Sequence, residues 1–202
     1  MKRNFLFHWL IGIVVAGIAA GAAFYFDSTV RDFVAQHQNR LLHKIMTGVS
    51  RWGDWLPHMA LGLVLLALAW WRGRKEWMRI FLAMLIALAL AGVAARAIKI
   101  VTARPRPSVK TEQVASRSHF SSKYHAFPSG HATASMAFFG VLLFARRPIG
   151  VACLPIPVFI GFARIYLQAH YLSDVVCGIV LGLLCAILVA RLLKIRNPQS
   201  AI

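Results

Sequence analysis

Three groups of polar residues in the second half of the chain have residue types and spacing that suit phosphate chemistry. In chain order they are Lys99 with Arg106 and Pro107, then Pro128-Ser129-Gly130-His131, then Arg164 with His170 and Asp174. A tetrapeptide such as Pro-Ser-Gly-His occurs by chance in a chain of this length roughly once in a thousand sequences at average composition. Together the three groups predict one site for a phosphoryl group.

The basic members of these groups are suited to phosphate oxygens. Lys99 supplies a compact charge, and Arg106 and Arg164 supply planar forks that also match charge developing in a transition state. Because side chains supply this charge, we expect no metal ion and no cofactor. Basic residues near helix ends also snorkel to lipid headgroups, which is our interpretation of Lys110, Arg117 and Lys123. The sequence leaves the role of Arg96 open.

Ser129 and Gly130 follow a proline and precede an apolar run, so they are predicted to begin a helix. Free backbone N–H groups and the positive end of the helix dipole bind phosphate oxygens at such a position. The alternative is a simple N-cap, since serine is a common capping residue. Taken alone, the motif favours the N-cap interpretation. The presence of the other two motif groups favours phosphate binding.

His170 and Asp174 are four residues apart and would share one face of a helix. The carboxylate can then keep one imidazole nitrogen protonated while the other stays free to attack phosphorus. A lone histidine near an apolar segment is more often structural. A carboxylate at the edge of a membrane is costly, however, and with a histidine partner it indicates function.

These residues resemble the type 2 phosphatidic acid phosphatase family, whose signature is Lys-x6-Arg-Pro, Pro-Ser-Gly-His and Ser-Arg-x5-His-x3-Asp. The signature is shared with vanadium haloperoxidases and bacterial acid phosphatases. The match runs from Lys99 to Asp174. One residue departs from it, because Ala163 stands where the family usually has serine, which removes a hydroxyl donor but no charged group.

The resemblance implies a metal-independent hydrolase that forms a phosphohistidine on His170. It implies that His131 is the general acid that protonates the leaving oxygen, a role that suits imidazole at neutral pH. The other histidines match no motif. Four are interpreted as interfacial or structural (His8, His37, His43 and His58), and two as headgroup contacts of undecided role (His119 and His125).

Composition indicates a membrane protein, since 59% of the 202 residues are hydrophobic and 14% are charged. Six apolar runs are long enough to span a bilayer as tilted helices. They cover residues 8–26, 55–71, 80–101, 129–145, 149–169 and 171–190. The first run also resembles a secretory signal peptide, but we favour its retention because further spans follow. Residues 27–57 are amphipathic and predict either an interfacial helix or a packed loop helix.

Charge sets the expected orientation. The chain has 23 Lys and Arg against 6 Asp and Glu, a net charge of +17. The cations lie in short clusters between apolar runs, which argues against a nucleic-acid partner. The loops at 72–79 and 146–148 and the two termini are basic, so the positive-inside tendency predicts cytoplasmic termini. If the spans alternate in direction, all three motif groups reach the opposite, outer face.

We therefore expect an all-α membrane protein: residues 1–202 form one domain, a bundle of six transmembrane helices with an interfacial helix and an outward-facing active site. The expected function is a lipid phosphate or diphosphate phosphatase of the bacterial inner membrane, with undecaprenyl diphosphate the first substrate to test. Phosphatidylglycerophosphate, phosphatidic acid and lipid A phosphate remain alternatives, as does phosphate transfer between lipids. An anion transporter would explain the cations but not the His170 and Asp174 pair. The oligomeric state is not predicted.

Overall fold

The computed structural model describes residues 2–109 and 121–195, and side chains from Phe7 onward except that of His8. Within these ranges the chain forms eight α-helices and one short 3₁₀ turn, with no strand. The helices are α1 Lys2–Gln36, α2 Arg40–Trp52, α3 Trp55–Trp71, α4 Lys75–Thr102, α5 Gly130–Ala145, α6 Arg147–Cys153, α7 Pro155–Tyr166 and α8 Leu172–Leu192; the turn is Ser122–Tyr124.

Length and composition identify four candidate membrane spans in the described part of the chain. They are Trp9–Gln36 of α1, all of α4, α6 and α7 together, and all of α8. The α2 and α3 pair, bent by 50°, would make a fifth. The remaining apolar helix, α5, has 16 residues. The protein is thus an all-α membrane protein with four or five candidate spans, and a sixth depends on α5.

The predicted end of the first span at residue 26 is wrong, because α1 continues to Gln36. The charge of Asp27 suggested the boundary. In the structure this side chain is buried and forms an ion pair with Arg104. Because the charge is paired, the helix can continue past Asp27 inside the protein. The amphipathic stretch is therefore shorter than predicted. It is α2, which begins after Asn39, whose side chain accepts the N–H groups of Leu41 and Leu42.

The predicted span 149–169 is two helices rather than one. The break comes at Leu154, because Pro155 has no N–H to continue the hydrogen-bond pattern of α6. The second helix, α7, ends at Tyr166, and Gln168 has a positive φ of 52°. His170 consequently lies in the connection before α8, and not on a helix as its spacing from Asp174 suggested.

Close packing of α5 against α8 brings the two helix starts together. Gly178 and Gly182 of α8 face the backbone of α5, and a Cβ atom at Gly178 would lie 2.9 Å from the carbonyl oxygen of Ser129. The core that continues below this contact includes Phe138 and Val141, both fully buried. Small residues therefore set the approach that holds Ser129 beside the first turn of α8.

Candidate active site

The structure brings all three motif groups together. The carboxyl ends of α4 and α7 supply Lys99 and Arg164, the start of α5 supplies His131, and the loops supply Arg106 and His170. His131 lies close enough to Arg164, His170, Arg106 and Lys99 to interact with each of them electrostatically.

The tautomer of His170 follows from its contacts. Its Nδ1 lies 2.7 Å from the carbonyl oxygen of Ala126 and 3.5 Å from Oδ2 of Asp174. Because a carbonyl oxygen only accepts hydrogen bonds, Nδ1 must carry the proton and donate a hydrogen bond to the Ala126 carbonyl. The Nε2 lone pair is then unprotonated, as attack on phosphorus requires.

Burial keeps the His170 imidazole neutral. Burial lowers the pKa of His170 to about 4, although the nearby Asp174 carboxylate, which accepts from the ring, acts in the opposite direction. The ring is therefore uncharged at neutral pH. A neutral ring with its proton on Nδ1 is the nucleophilic form, and it is present without any prior proton transfer.

Asp174 has no exposed side-chain surface. Its Oδ2 accepts the backbone N–H of Tyr171 at 2.8 Å, and its Oδ1 accepts from Arg104 at 2.6 Å. Its own backbone carbonyl accepts the N–H of Ser129 at 2.8 Å. The carboxylate thus lies beside the His170 ring, while its oxygens accept hydrogen bonds from Tyr171 and Arg104.

Lys99 and Arg106 are oriented by neutral acceptors. The ammonium group of Lys99 donates to the carbonyl oxygens of His125 and Pro128, which leaves one of its three N–H donors. Nε of Arg106 donates to the carbonyl oxygen of Ser122 at 3.0 Å. Burial lowers the pKa of Arg106, which nevertheless remains cationic at neutral pH. These contacts fix both side chains without cancelling their charge.

Arg164 is held from α2, since its NH1 donates to the hydroxyl oxygen of Ser50 at 2.7 Å. Its Nε is buried and has no hydrogen-bond partner among the described residues. The hydroxyl oxygen of Ser129 is also buried, and it too has no hydrogen-bond partner within the described part of the chain. Buried polar groups are rarely left unpaired, so the two atoms mark a place for a polar ligand.

The start of α5 differs in detail from the prediction. The backbone N–H of Ser129 is taken by Asp174, and the Ser129 side chain makes no capping bond. The first helical residue is Gly130, so the N–H groups that face out of the helix are those of Gly130 and the residues after it. Gly130 also lies beside Lys99, because a Cβ atom there would be 3.7 Å from Lys99 Cε.

Sequence reasoning missed four contributors to the site. They are the Ala126 carbonyl, Ser50, Arg104 and Asp27. The only signal for any of them was the repeat Arg104-Pro105-Arg106-Pro107, in which the second arginine alone has the motif spacing. No local pattern marks the other three, because each contact joins distant parts of the chain.

The sequence also singled out residues that stand apart from this chemistry. Among the undecided ones, His125 is buried and its Nδ1 lies 3.3 Å from NH1 of Arg96. The ring of His58, interpreted as structural, bonds the Asp54 carbonyl and the Ser135 hydroxyl. Lys110, Arg117 and His119 lie outside the described residues.

The described part of the chain holds no candidate metal-binding cluster. Within residues 2–109 and 121–195, no group of three or more His, Cys, Asp or Glu residues lies close enough to hold a metal ion. Cys153, Cys177 and Cys185 are free thiols. The charge available at the site described here is that of its lysine and arginines.

Comparisons with known proteins identify proteins that resemble this chain in fold and in sequence. The structure resembles that of a transmembrane PAP2-type phosphatidylglycerolphosphate phosphatase from Bacillus subtilis, with a TM-score of 0.70, 23% identity, and coverage of 96% of this chain and 97% of that one. At this identity the likeness shows a common fold.

Two relatives are similar in sequence. The undecaprenyl-diphosphatase BcrC of Bacillus subtilis is 28% identical over 166 residues, which are 80% of each chain. A lipid A 1-phosphatase of Rhizobium johnstonii is 42% identical over 77 residues, 35% of this chain. That match spans only 30% of the relative's own length.

The family model described as PAP2 superfamily matches residues 78–198. The matched segment is more than half of the chain and contains all three motif groups. The resemblance found in the motifs is thereby confirmed, and the chain belongs to the PAP2 superfamily.

Proposed function

We propose that the protein is an integral membrane phosphatase that hydrolyses a phosphomonoester or diphosphate on a lipid through a phosphohistidine at His170. One observation carries the proposal. A neutral imidazole with its Nδ1 proton held by the Ala126 carbonyl lies among Lys99, Arg106 and Arg164, whose hydrogen-bond partners among the described residues are neutral. No carboxylate of the described residues forms an ion pair with these three cations, and a nucleophile beside such cations suits phosphoryl transfer.

In the first step Nε2 of His170 attacks phosphorus, and the bond from phosphorus to the leaving oxygen breaks. Lys99 and the two arginines stabilise the charge on the transferring oxygens. His131 gives a proton to the leaving oxygen. In the second step water attacks the phosphohistidine, His131 accepts a proton from this water, and His170 leaves with its electron pair.

The unpaired buried atoms support phosphate as the ligand. Nε of Arg164 is a donor, and the hydroxyl of Ser129 can donate as well. Phosphate oxygens accept such bonds, and the start of α5 adds backbone donors from Gly130 onward. This set of donors can replace the charge that a metal ion supplies in other phosphatases, so we propose that turnover needs no metal.

The substrate is proposed from the relatives. Their names point to three lipid classes, which are undecaprenyl diphosphate, lipid A and phosphatidylglycerolphosphate. We favour undecaprenyl diphosphate because the similarity to that diphosphatase extends over 80% of both chains. Phosphatidic acid is the remaining alternative, together with transfer of the phosphoryl group to an acceptor lipid, since a phosphoenzyme reacts with acceptors other than water.

We further propose a single domain with both termini in the cytoplasm of a bacterium and the site on the outer face of the inner membrane. In this arrangement α5 is a sixth, short span that reaches the surface through its polar start. The amphipathic α2 then lies in the interface, where it supports Arg164 through Ser50. The lipid tail enters laterally between helices.

Purified protein in detergent and excess chelator should release phosphate from undecaprenyl diphosphate, because side chains supply the stabilising charge. Phosphatidylglycerophosphate, phosphatidic acid and lipid A phosphate serve as comparison substrates, and vanadate should inhibit. His170→Ala is the control for contaminating phosphatases. Release from none of the four lipids would favour anion transport, and activity restored only by added metal would contradict the metal-free scheme.

His131→Ala should be impaired in proportion to the basicity of the leaving group. On an alkyl lipid phosphate we expect a loss of about 10²–10⁴-fold in kcat, because the departing oxygen needs a proton. On nitrophenyl phosphate, whose oxygen leaves without protonation, the loss should be less than about tenfold. Equal losses on the two substrates would remove His131 from the role of general acid.

The orientation is tested with single cysteines in a background that lacks the three native ones. Ser122→Cys, beside the site, should react with an impermeant thiol reagent on intact cells. Lys75→Cys, at the opposite end of α4, should react only after the cells are opened. Both positions are exposed, so accessibility within the protein is matched. The reverse pattern would place the site in the cytoplasm and exclude a substrate presented outside.

A further inference from the structure

Arg104, itself partly buried, joins two buried carboxylates in an ion cluster that the proposed mechanism does not use. Its NH1 donates to Oδ1 of Asp174 at 2.6 Å and to the hydroxyl of Ser173 at 2.7 Å, and its NH2 donates to Oδ2 of Asp27 at 2.7 Å. Its guanidinium also stacks 4.4 Å from the ring centre of Tyr171. Arg104 is therefore committed to two carboxylates, unlike Arg106, which bonds a neutral carbonyl.

Asp27 belongs to α1, a helix that is otherwise largely exposed to the surroundings of the protein. In the most apolar 18-residue window of this span only 6% of the residues are buried, whereas Asp27 is buried. Its Oδ1 accepts the N–H of Ser173 at 2.8 Å, and its Oδ2 accepts the Ser173 hydroxyl at 2.6 Å. A buried carboxylate in a candidate membrane span is costly and indicates a functional role.

The cluster has a defined electrostatic effect on the nucleophile. Arg104 alone would neutralise Asp174, and the carboxylate would then do little to stabilise the positive charge that His170 gains when it bonds to phosphorus. Asp27 adds a second negative charge to the same guanidinium. The sum over Asp27, Arg104 and Asp174 is then −1. Asp27 fixes the guanidinium through NH2, and the NH1 of the fixed guanidinium holds Asp174 in place.

We propose that Asp27 and Arg104 are positioning residues for the nucleophile: they hold the Asp174 carboxylate behind His170 and keep the buried cluster negative. The role rests on the proposed phosphatase function. Through Asp27, helix α1 then contributes to the chemistry, although Asp27 lies far in sequence from every motif residue. Removal of either member should slow phosphoenzyme formation while leaving the phosphate-binding side chains intact.

The test compares Asp27→Asn, Arg104→Lys and their double variant with wild type and with Asp32→Asn. Asp32 is the matched control, an exposed acid on the same helix whose partner is Arg31. Rates of lipid phosphate hydrolysis are divided by the number of vanadate-binding sites, so that a misfolded fraction does not count. The profile of kcat against pH is recorded for each variant.

Asp27→Asn and Arg104→Lys should each lower kcat per site about 10–100-fold with KM changed less than about threefold, the range found when a group that orients an active residue is removed. Asp32→Asn should match wild type. The double variant should lose less than the product of the single losses, because the residues act as one unit. In the pH profiles, the acid limb of Asp27→Asn should move to lower pH, since a less negative cluster stabilises protonated His170 less.

Unchanged kcat per site in Asp27→Asn, with active wild type, would overturn the positioning role alone. A loss confined to the number of vanadate sites would also overturn it, since that result indicates only a structural contact. Absence of phosphate release by the wild type from every lipid tested would overturn the proposed function and the positioning role together.

Discussion

The burial of one carboxylate organises this site. Asp174 has no exposed side-chain surface in a chain that spans a membrane, and such a charge is tolerated only with partners that satisfy all its oxygens. The partners are Arg104, the N–H of Tyr171 and the ring of His170. They come from the loop after α4 and the connection before α8. Satisfying Asp174 therefore draws this loop and His170 to the same end of the bundle.

The site separates two kinds of arginine. Arg104 is neutralised by carboxylates and serves as a structural bridge. Arg106 and Arg164 are oriented by a carbonyl and a hydroxyl, and Lys99 is oriented by two carbonyls, so their charge stays available for an anion. Neutral acceptors fix the geometry of these cations without cancelling their charge, which is what the proposed metal-free chemistry requires. The difference between Arg104 and Arg106 depends on what each side chain contacts, and not on residue type.

The sequence predicted the family, the all-α membrane class and the residues of the motifs, because motif spacing and apolar length are local properties. It did not predict the Asp27 and Arg104 pair, whose members are 77 positions apart. The Ala126 carbonyl escaped prediction because its role depends on the path of a loop. The end of the first span was predicted ten residues before the end of α1. In the sequence Asp27 has no visible partner, and an unpaired acidic residue indicates the end of a membrane span. His170 was placed on a helix because its four-residue spacing from Asp174 is also helical.

The position of phosphorus in the phosphoenzyme distinguishes the proposed mechanism from its alternatives. The Nδ1 proton of His170 is held by the Ala126 carbonyl, so the account predicts that the phosphoenzyme carries phosphorus on Nε2. Wild-type enzyme can be quenched in alkali during turnover, and ³¹P NMR of the denatured protein distinguishes the two phosphohistidine isomers. Peptide mapping then assigns the residue. Phosphorus on Nε2 of His170 is the expected result, whereas phosphorus on Nδ1, on His131 or on a hydroxyl would contradict the account.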